Sequence, residues 1–172
     1  MSENENPQQN TQQPPQQYVA AQKIYTKDIS FETPNTPALF IKPSQQQPQV
    51  NFNLSVSSSN QGENLYEVVV NITVTVKMED KTAFLVELQQ AGLFAIAGFA
   101  QEQMPYLINS YCPNILFPFV RETVADLVSR GGFPQLLLEP IDFDSLFQQQ
   151  VQQQQAQQQA QQTEEAGTAT VN

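Results

Sequence analysis

The sequence has no histidine, no tryptophan and one cysteine, Cys112, in 172 residues. Without histidine there is no Ser-His-Asp or Cys-His nucleophile pair, no histidine general base and no imidazole metal ligand. A single cysteine excludes a structural zinc site within one chain, which wants four Cys or His ligands, and gives no disulfide framework. Basic residues are also scarce, Lys+Arg 7 against Asp+Glu 17, for a net charge of −10. Nucleic-acid binding rests on Lys and Arg neutralising phosphates, so no nucleic-acid partner is expected and charged partners should be basic. Long apolar runs are missing too. The longest, Leu93 to Ala100 counting Gly98, falls far short of the ~20 residues that span a bilayer, so no membrane insertion is expected. Residues 1–17 carry acidic groups and no apolar stretch of the signal-peptide kind, and the expected location is the cytoplasm.

What is abundant is glutamine, and it is unevenly placed. Of 29 glutamines, 18 lie in residues 1–17 and 148–172. These tails hold little to bury and are expected to be disordered, the second as a helix that frays beyond Val151. Residues 18–147 are long enough for one domain with a real core.

Within that domain, Tyr18 to Glu32 reads as a strand, with Tyr25, Ile29 and Phe31 on one parity and Ile24, Thr26, Asp28, Ser30 and Glu32 on the other. Four prolines between Thr33 and Pro48 forbid regular structure in a loop that nevertheless carries Leu39, Phe40 and Ile41. Val50, Phe52, Leu54 and Val56 then alternate with polar residues, Asn60-Gln61-Gly62 marks a turn, and Tyr66 to Met78 are apolar at every even position. Such alternation predicts antiparallel strands with one wet face. Glu79-Asp80-Lys81 reads as a charged turn, Thr82 to Gln90 as a fourth strand, and Ala91-Gly92 as a place for a bulge.

After Gly98 the period changes. Pro105 to Ser110 reads as a short helix, and Pro118 suits the first turn of a helix ending at Gly131-Gly132, with Val120, Val124, Leu127 and Val128 as its stripe. Asp142 or Asp144 can cap a last helix that shares Phe143, Leu146, Phe147 and Val151 on one face. Four strands followed by helices predict an α+β fold, a four-stranded antiparallel sheet with helices on one face. Tyr111, Ile115, Leu116, Phe117, Phe119 and Phe133 exceed what one small layer needs, which implies an oligomer interface or an apolar groove.

No phosphate-binding glycine motif is present, Asp142 and Asp144 are better explained as helix caps than as paired acids, and Cys112 lacks a base, so no catalytic residue, metal site or cofactor is expected. Asp28 and Glu32 share a parity about 13 Å apart on the first strand. Leu85 and Glu87 share the parity opposite to Phe84, Val86 and Leu88 on the fourth. Parity alone makes this an ordinary solvated face.

The sequence resembles the SecB family of bacterial protein-export chaperones from Lys23 to Phe147. The matching segments include Ile24-Tyr-Thr-Lys-Asp-Ile-Ser-Phe-Glu32, Tyr66-Glu-Val-Val69, Thr82-Ala-Phe-Leu85 with Glu87, and Tyr111-Cys-Pro-Asn-Ile-Leu-Phe-Pro118. Ser129-Arg-Gly131, Phe133-Pro-Gln-Leu136 and Phe143-Asp144 with Leu146-Phe147 complete them. The resemblance implies a cytosolic homotetramer, a dimer of dimers, that holds unfolded precursor proteins without hydrolysing nucleotide and passes them to the ATPase SecA. It implies SecA binding by Asp28, Glu32, Leu85 and Glu87, against a basic, zinc-bearing segment of that partner. By residue type, Leu39, Phe40, Phe133, Leu136 and Phe143 are the client-groove candidates, and Val120, Val124, Leu127 and Val128 the candidates for the oligomer interface. The tails are richer in glutamine than the family pattern. Competing readings are a SecB-like chaperone with another client, such as one serving a toxin–antitoxin pair, and a small-ligand-binding α+β domain.

Overall fold

The computed structural model describes residues 16–42 and 46–168; most of the amino-terminal tail lies outside them. Strands β1 (Tyr18–Glu32), β2 (Gln49–Gly62), β3 (Leu65–Met78) and β4 (Lys81–Ala97) form one antiparallel sheet in the order β1-β4-β3-β2. The helices lie on one face of it. The two central strands are the apolar ones, and their even-numbered side chains from Val68 to Val76 and Phe84 to Leu88 are buried under the helical layer. The even row of β4 is interrupted by Gln90, buried and sharing a hydrogen bond with Thr26 of β1.

The turns fall slightly off their expected places. The β2–β3 reversal is at Glu63-Asn64, not Asn60-Gln61-Gly62, because an extra residue at Gln61 bulges β2 and lets pairing continue to Gly62 opposite Leu65. The β3–β4 reversal is at Glu79-Asp80, both with positive φ (49° and 63°), the primed geometry that matches strand twist. Lys81 already belongs to β4. That strand does not bulge at Ala91-Gly92 but runs on to Ala97, pairing with β1 along its length. Gly92 answers a different need: a Cβ there would stand 2.5 Å from the Phe94 ring and 2.8 Å from a Leu116 methyl. Both neighbours are fully buried and have nowhere to go. Gly92→Ala should therefore cost about 1–3 kcal/mol by overpacking, seen as a lower urea midpoint at unchanged m-value; an unshifted midpoint would show that the layer yields.

β1 changes parity midway. Register shifts occur between Ala21 and Lys23 and between Thr26 and Asp28, each adding a residue to β1. Ahead of the second bulge Ile24 faces the core and Tyr25 the outer face; beyond it Ile29 and Phe31 face the helices, and Asp28, Ser30 and Glu32 face out. The single alternation expected from sequence therefore holds only within each of the stretches that Gln22 and Lys27 separate.

Helix α1 (Ala38–Ile41) is one turn in the proline-rich connection. The main helical rod starts earlier than expected. Helix α2 (Met104–Tyr106), a wide π turn (Leu107–Tyr111) and helix α3 (Cys112–Arg130) follow without a break, so Pro118 lies inside α3 rather than in its first turn. Pro118 is exposed, and the Asn114 carbonyl that loses its amide partner is on the wet side where water can serve it. The π turn ends two residues before Pro113, which likewise lacks an N–H for the turn behind it. α3 ends as the sequence predicts: Gly132 adopts φ +82°, Phe133 N–H bonds Val128 O at 3.2 Å and Gly132 N–H bonds Ser129 O at 3.1 Å. This paired closure turns the chain and drops Phe133 into the core.

Helix α4 (Phe143–Thr168) is capped by Asp142, whose Oδ1 accepts the Ser145 N–H at 3.0 Å. Asp144 takes another role, accepting from the buried Ser110 hydroxyl and so tying α4 to the π turn. α4 runs past Val151, where its apolar stripe ends.

Candidate functional site

The outer face of the sheet brings the four acidic-face residues together. Glu32 stands directly opposite Leu85, Ser30 opposite Glu87, and Asp28 opposite Gln89. Asp28, Glu32 and Glu87 are exposed and Leu85 is half-buried. On the other flank Leu85 and Glu87 face Thr75 and Thr73 of β3. Among the described residues the ion pairs are Lys27–Glu67 and Asp126–Arg130, so none of these three carboxylates is neutralised by a neighbour. The result is a flat acidic surface of two adjacent strands, with one leucine in it and hydroxyls beside it.

A fourth carboxylate on this face behaves differently. Glu67 of β3 reaches across β4 to β1, taking the Lys27 ammonium at 2.8 Å on Oε2 and the Tyr25 hydroxyl on Oε1. The Lys27 bond first, then the Tyr25 bond, holds the Glu67 carboxyl below the usual carboxylate range, and the same contact pushes the Tyr25 phenol up. Glu67 is therefore an ionised, occupied group rather than a free acid. No motif announced it.

The client-groove candidates are not one site. Phe40 and Phe133 meet as tilted rings with centroids 5.1 Å apart, and Phe133 continues to Phe84 at 5.0 Å and Phe84 to Phe31 at 6.0 Å. In this row Phe133 is core and Phe40 is its half-exposed end, with Leu39 packed against the core beside it. Leu136 lies elsewhere, in an open groove of about 290 Å³ formed by Val50 and Phe52 of β2 with the segment from Leu136 to Ile141. Phe143 is elsewhere again. It is buried, edge-on to Phe117, at the floor of a second cavity of about 280 Å³ between Leu54 to Val56 and the first turns of α4.

What sequence reading missed is the strand that joins these two depressions. Val50, Phe52, Leu54 and Val56 all project from the helix-side face of β2, opposite Val76, Val74, Ile72 and Val70. β2 is an edge strand, and the helical layer does not close over it: Val50 is 47% and Phe52 38% exposed, and Leu137 across the groove 66%. The alternation in the sequence was visible, but only the sheet order shows that this apolar row borders open space.

The proposed interface stripe needs correction. Val120, Val124 and Val128 recur every four residues on the buried side of α3 and are fully covered by the chain's own sheet; Leu127 is partly covered. They belong to the core of one chain. The apolar side chains that α2, the π turn and α3 leave uncovered are Tyr106, Tyr111 and Phe119, each more than 40% exposed. Cys112 sits at the head of the buried row, and burial pushes its thiol up to about 12, which leaves it a small core residue without nucleophilic character at neutral pH. Among the described residues there is no cluster of acidic or cysteine side chains able to hold a metal ion, and no helix is long and apolar enough to cross a membrane.

Comparison with known proteins covers nearly the whole domain. The family model for SecB, preprotein translocase subunit SecB, matches residues 10–154. The protein-export protein SecB of Nitrosococcus oceani is 53% identical over 152 residues, 87% of this chain and 92% of its own length. That of Methylococcus capsulatus is 55% identical over 139 residues, 81% and 88% of the two chains. Among solved structures, a SecB-like chaperone of Mycobacterium tuberculosis in complex with an antitoxin peptide aligns with a TM-score of 0.56. It is 20% identical, covers 72% of this chain and 90% of its own, and shares the fold.

Proposed function

The chain belongs to the SecB family, and from that membership we propose a cytoplasmic, ATP-independent chaperone. It binds unfolded precursor proteins, keeps them competent for translocation and delivers them to SecA. It is a holder and not an enzyme. The observation that carries the holding role is the open apolar row on β2, flanked by the two grooves.

An extended client segment places alternate side chains on one side at ~6.6 Å intervals, the spacing of Val50, Phe52, Leu54 and Val56. Each client side chain fully buried against such a row gains roughly 1.5–3 kcal/mol, and ordering the client offsets much of this. Single contacts are weak, and several rows in one assembly act by avidity. Leu136 and Phe143 serve here as lining of the two grooves; Leu39 and Phe40, backed by the core residue Phe133, form an apolar end-wall at the proline-rich connection.

The assembly is a homotetramer, a dimer of dimers. Tyr106, Tyr111 and Phe119 on the helical rod, with Ile29 on the free β1 edge, offer the uncovered apolar area that a second copy would bury. SecA docks on the acidic face of Asp28, Glu32, Leu85 and Glu87, where unpaired carboxylates suit a basic, zinc-bearing segment and the metal arrives with the partner. Presence of all four residues on one surface favours export over a toxin–antitoxin role.

The test is refolding of a denatured client protein in the presence of excess chaperone and no nucleotide. The expected result is arrest of refolding, reversed by dilution. An unchanged refolding rate at excess chaperone would refute the holding role.

A further inference from the structure

We propose that Glu67 is a positioning residue of the acidic face, acting by holding Lys27 away from Asp28, so that the face stays negative toward a basic partner. The inference rests on the docking reading above and concerns how this chain keeps that surface available.

The bulge between Thr26 and Asp28 makes the problem. It turns two consecutive residues, Lys27 and Asp28, to the same outer side of the sheet: Lys27 reaches Glu67 there, and Asp28 stands opposite Gln89 there. A lysine beside the aspartate on one surface is the group best placed to neutralise it. The bulge cannot be given up, because it puts Phe31 toward the core and Asp28 and Glu32 outward in the same strand. Glu67 resolves the conflict. Its carboxylate, more covered than Lys27 at 13% against 44% side-chain exposure, takes the ammonium at 2.8 Å, while the Tyr25 hydroxyl and the Ser59 hydroxyl (3.4 Å) fix its orientation. The pair is internally neutral. Among the described residues Asp28, Glu32 and Glu87 take part in no ion pair.

The experiment uses the full chain and two probes, the basic zinc-loaded segment of SecA and an octalysine peptide that senses only the charge of the surface. Glu67→Gln frees Lys27 and should weaken both by about 2- to 5-fold, the range of one exposed charge pair. Glu122→Gln, an equal charge change on the exposed side of α3, should weaken neither by more than the change in net charge alone. Lys27→Met should bind at least as well as wild type, and the double variant Lys27→Met/Glu67→Gln should return to wild-type affinity. A pair that merely braces the bulge would instead make Lys27→Met and the double variant as weak as Glu67→Gln. That result, or equal affinity of Glu67→Gln and wild type, overturns the inference. Wild type binding octalysine but not the SecA segment would refute the docking reading, with the octalysine series still deciding the role of Glu67. Wild type binding neither would refute both.

Discussion

Glu87→Lys is expected to lower SecA capture by about tenfold or more, because it reverses the sign at the centre of a surface built to attract a cation. Glu87 is exposed between Ser30 and Thr73, hydroxyl neighbours that neither neutralise it nor depend on it for folding. The substitution should therefore leave the thermal midpoint nearly unchanged, which separates loss of docking from loss of fold. Wild-type capture should also weaken as salt rises, since exposed charges are screened within ~8 Å at physiological ionic strength. Recovery of equal amounts of SecA by wild type and Glu87→Lys at low salt would remove this face from the mechanism. Holding of a denatured client should be unaffected by the substitution, because the β2 row lies on the opposite side of the sheet.

The second large effect separates core from client contact among residues that look alike in sequence. Phe133 is buried between the Phe40 and Phe84 rings at the closure of α3. Phe133→Ala should destabilise by about 3–5 kcal/mol, the range for emptying an aromatic site in a core. Leu137, four residues on, is 66% exposed on the rim of the apolar groove. Leu137→Ser should change stability by less than about 0.5 kcal/mol while reducing the chaperone's arrest of client refolding. Urea titration of both variants beside the refolding assay checks the pair. A Leu137→Ser protein that arrests clients as wild type does would exclude this groove from client binding, and a Phe133→Ala protein of normal stability would mean the aromatic row is not part of the core.

Much of this was legible in one dimension. Period-two alternation from Val50 to Met78 and its return in Thr82 to Gln90 define strands because a half-buried sheet face demands it, and the Gly131-Gly132 stop follows from the φ that only glycine adopts freely. The apolar grooves were not legible in the same way. A leucine in the loop from Leu136 to Ile141 carries no mark of whether it faces a core or an open edge, and Phe133, Leu136 and Phe143 end in three different places. Val120, Val124 and Val128 show the converse: a helical stripe fixes which side of a helix is apolar but not what covers it, and here the chain's own sheet does.

By itself, then, the sequence determined the chemistry that is absent and the elements present. With no histidine and one cysteine there is no imidazole or disulfide chemistry, and the alternating strands, the helical stripe and the excess of acid over base are properties of residues taken in order. The tertiary structure decided what shares a surface. Strand order β1-β4-β3-β2 makes β2 an edge and exposes its apolar row. The added residue at Lys27 turns Asp28 and Glu32 onto the face of Leu85 and Glu87, and the crossing from β3 lets Glu67 hold the lysine next to Asp28. The physical reason is that pairing register and burial are set by contacts between distant segments. Local pattern gives each strand two faces, and only its neighbours choose which one meets water.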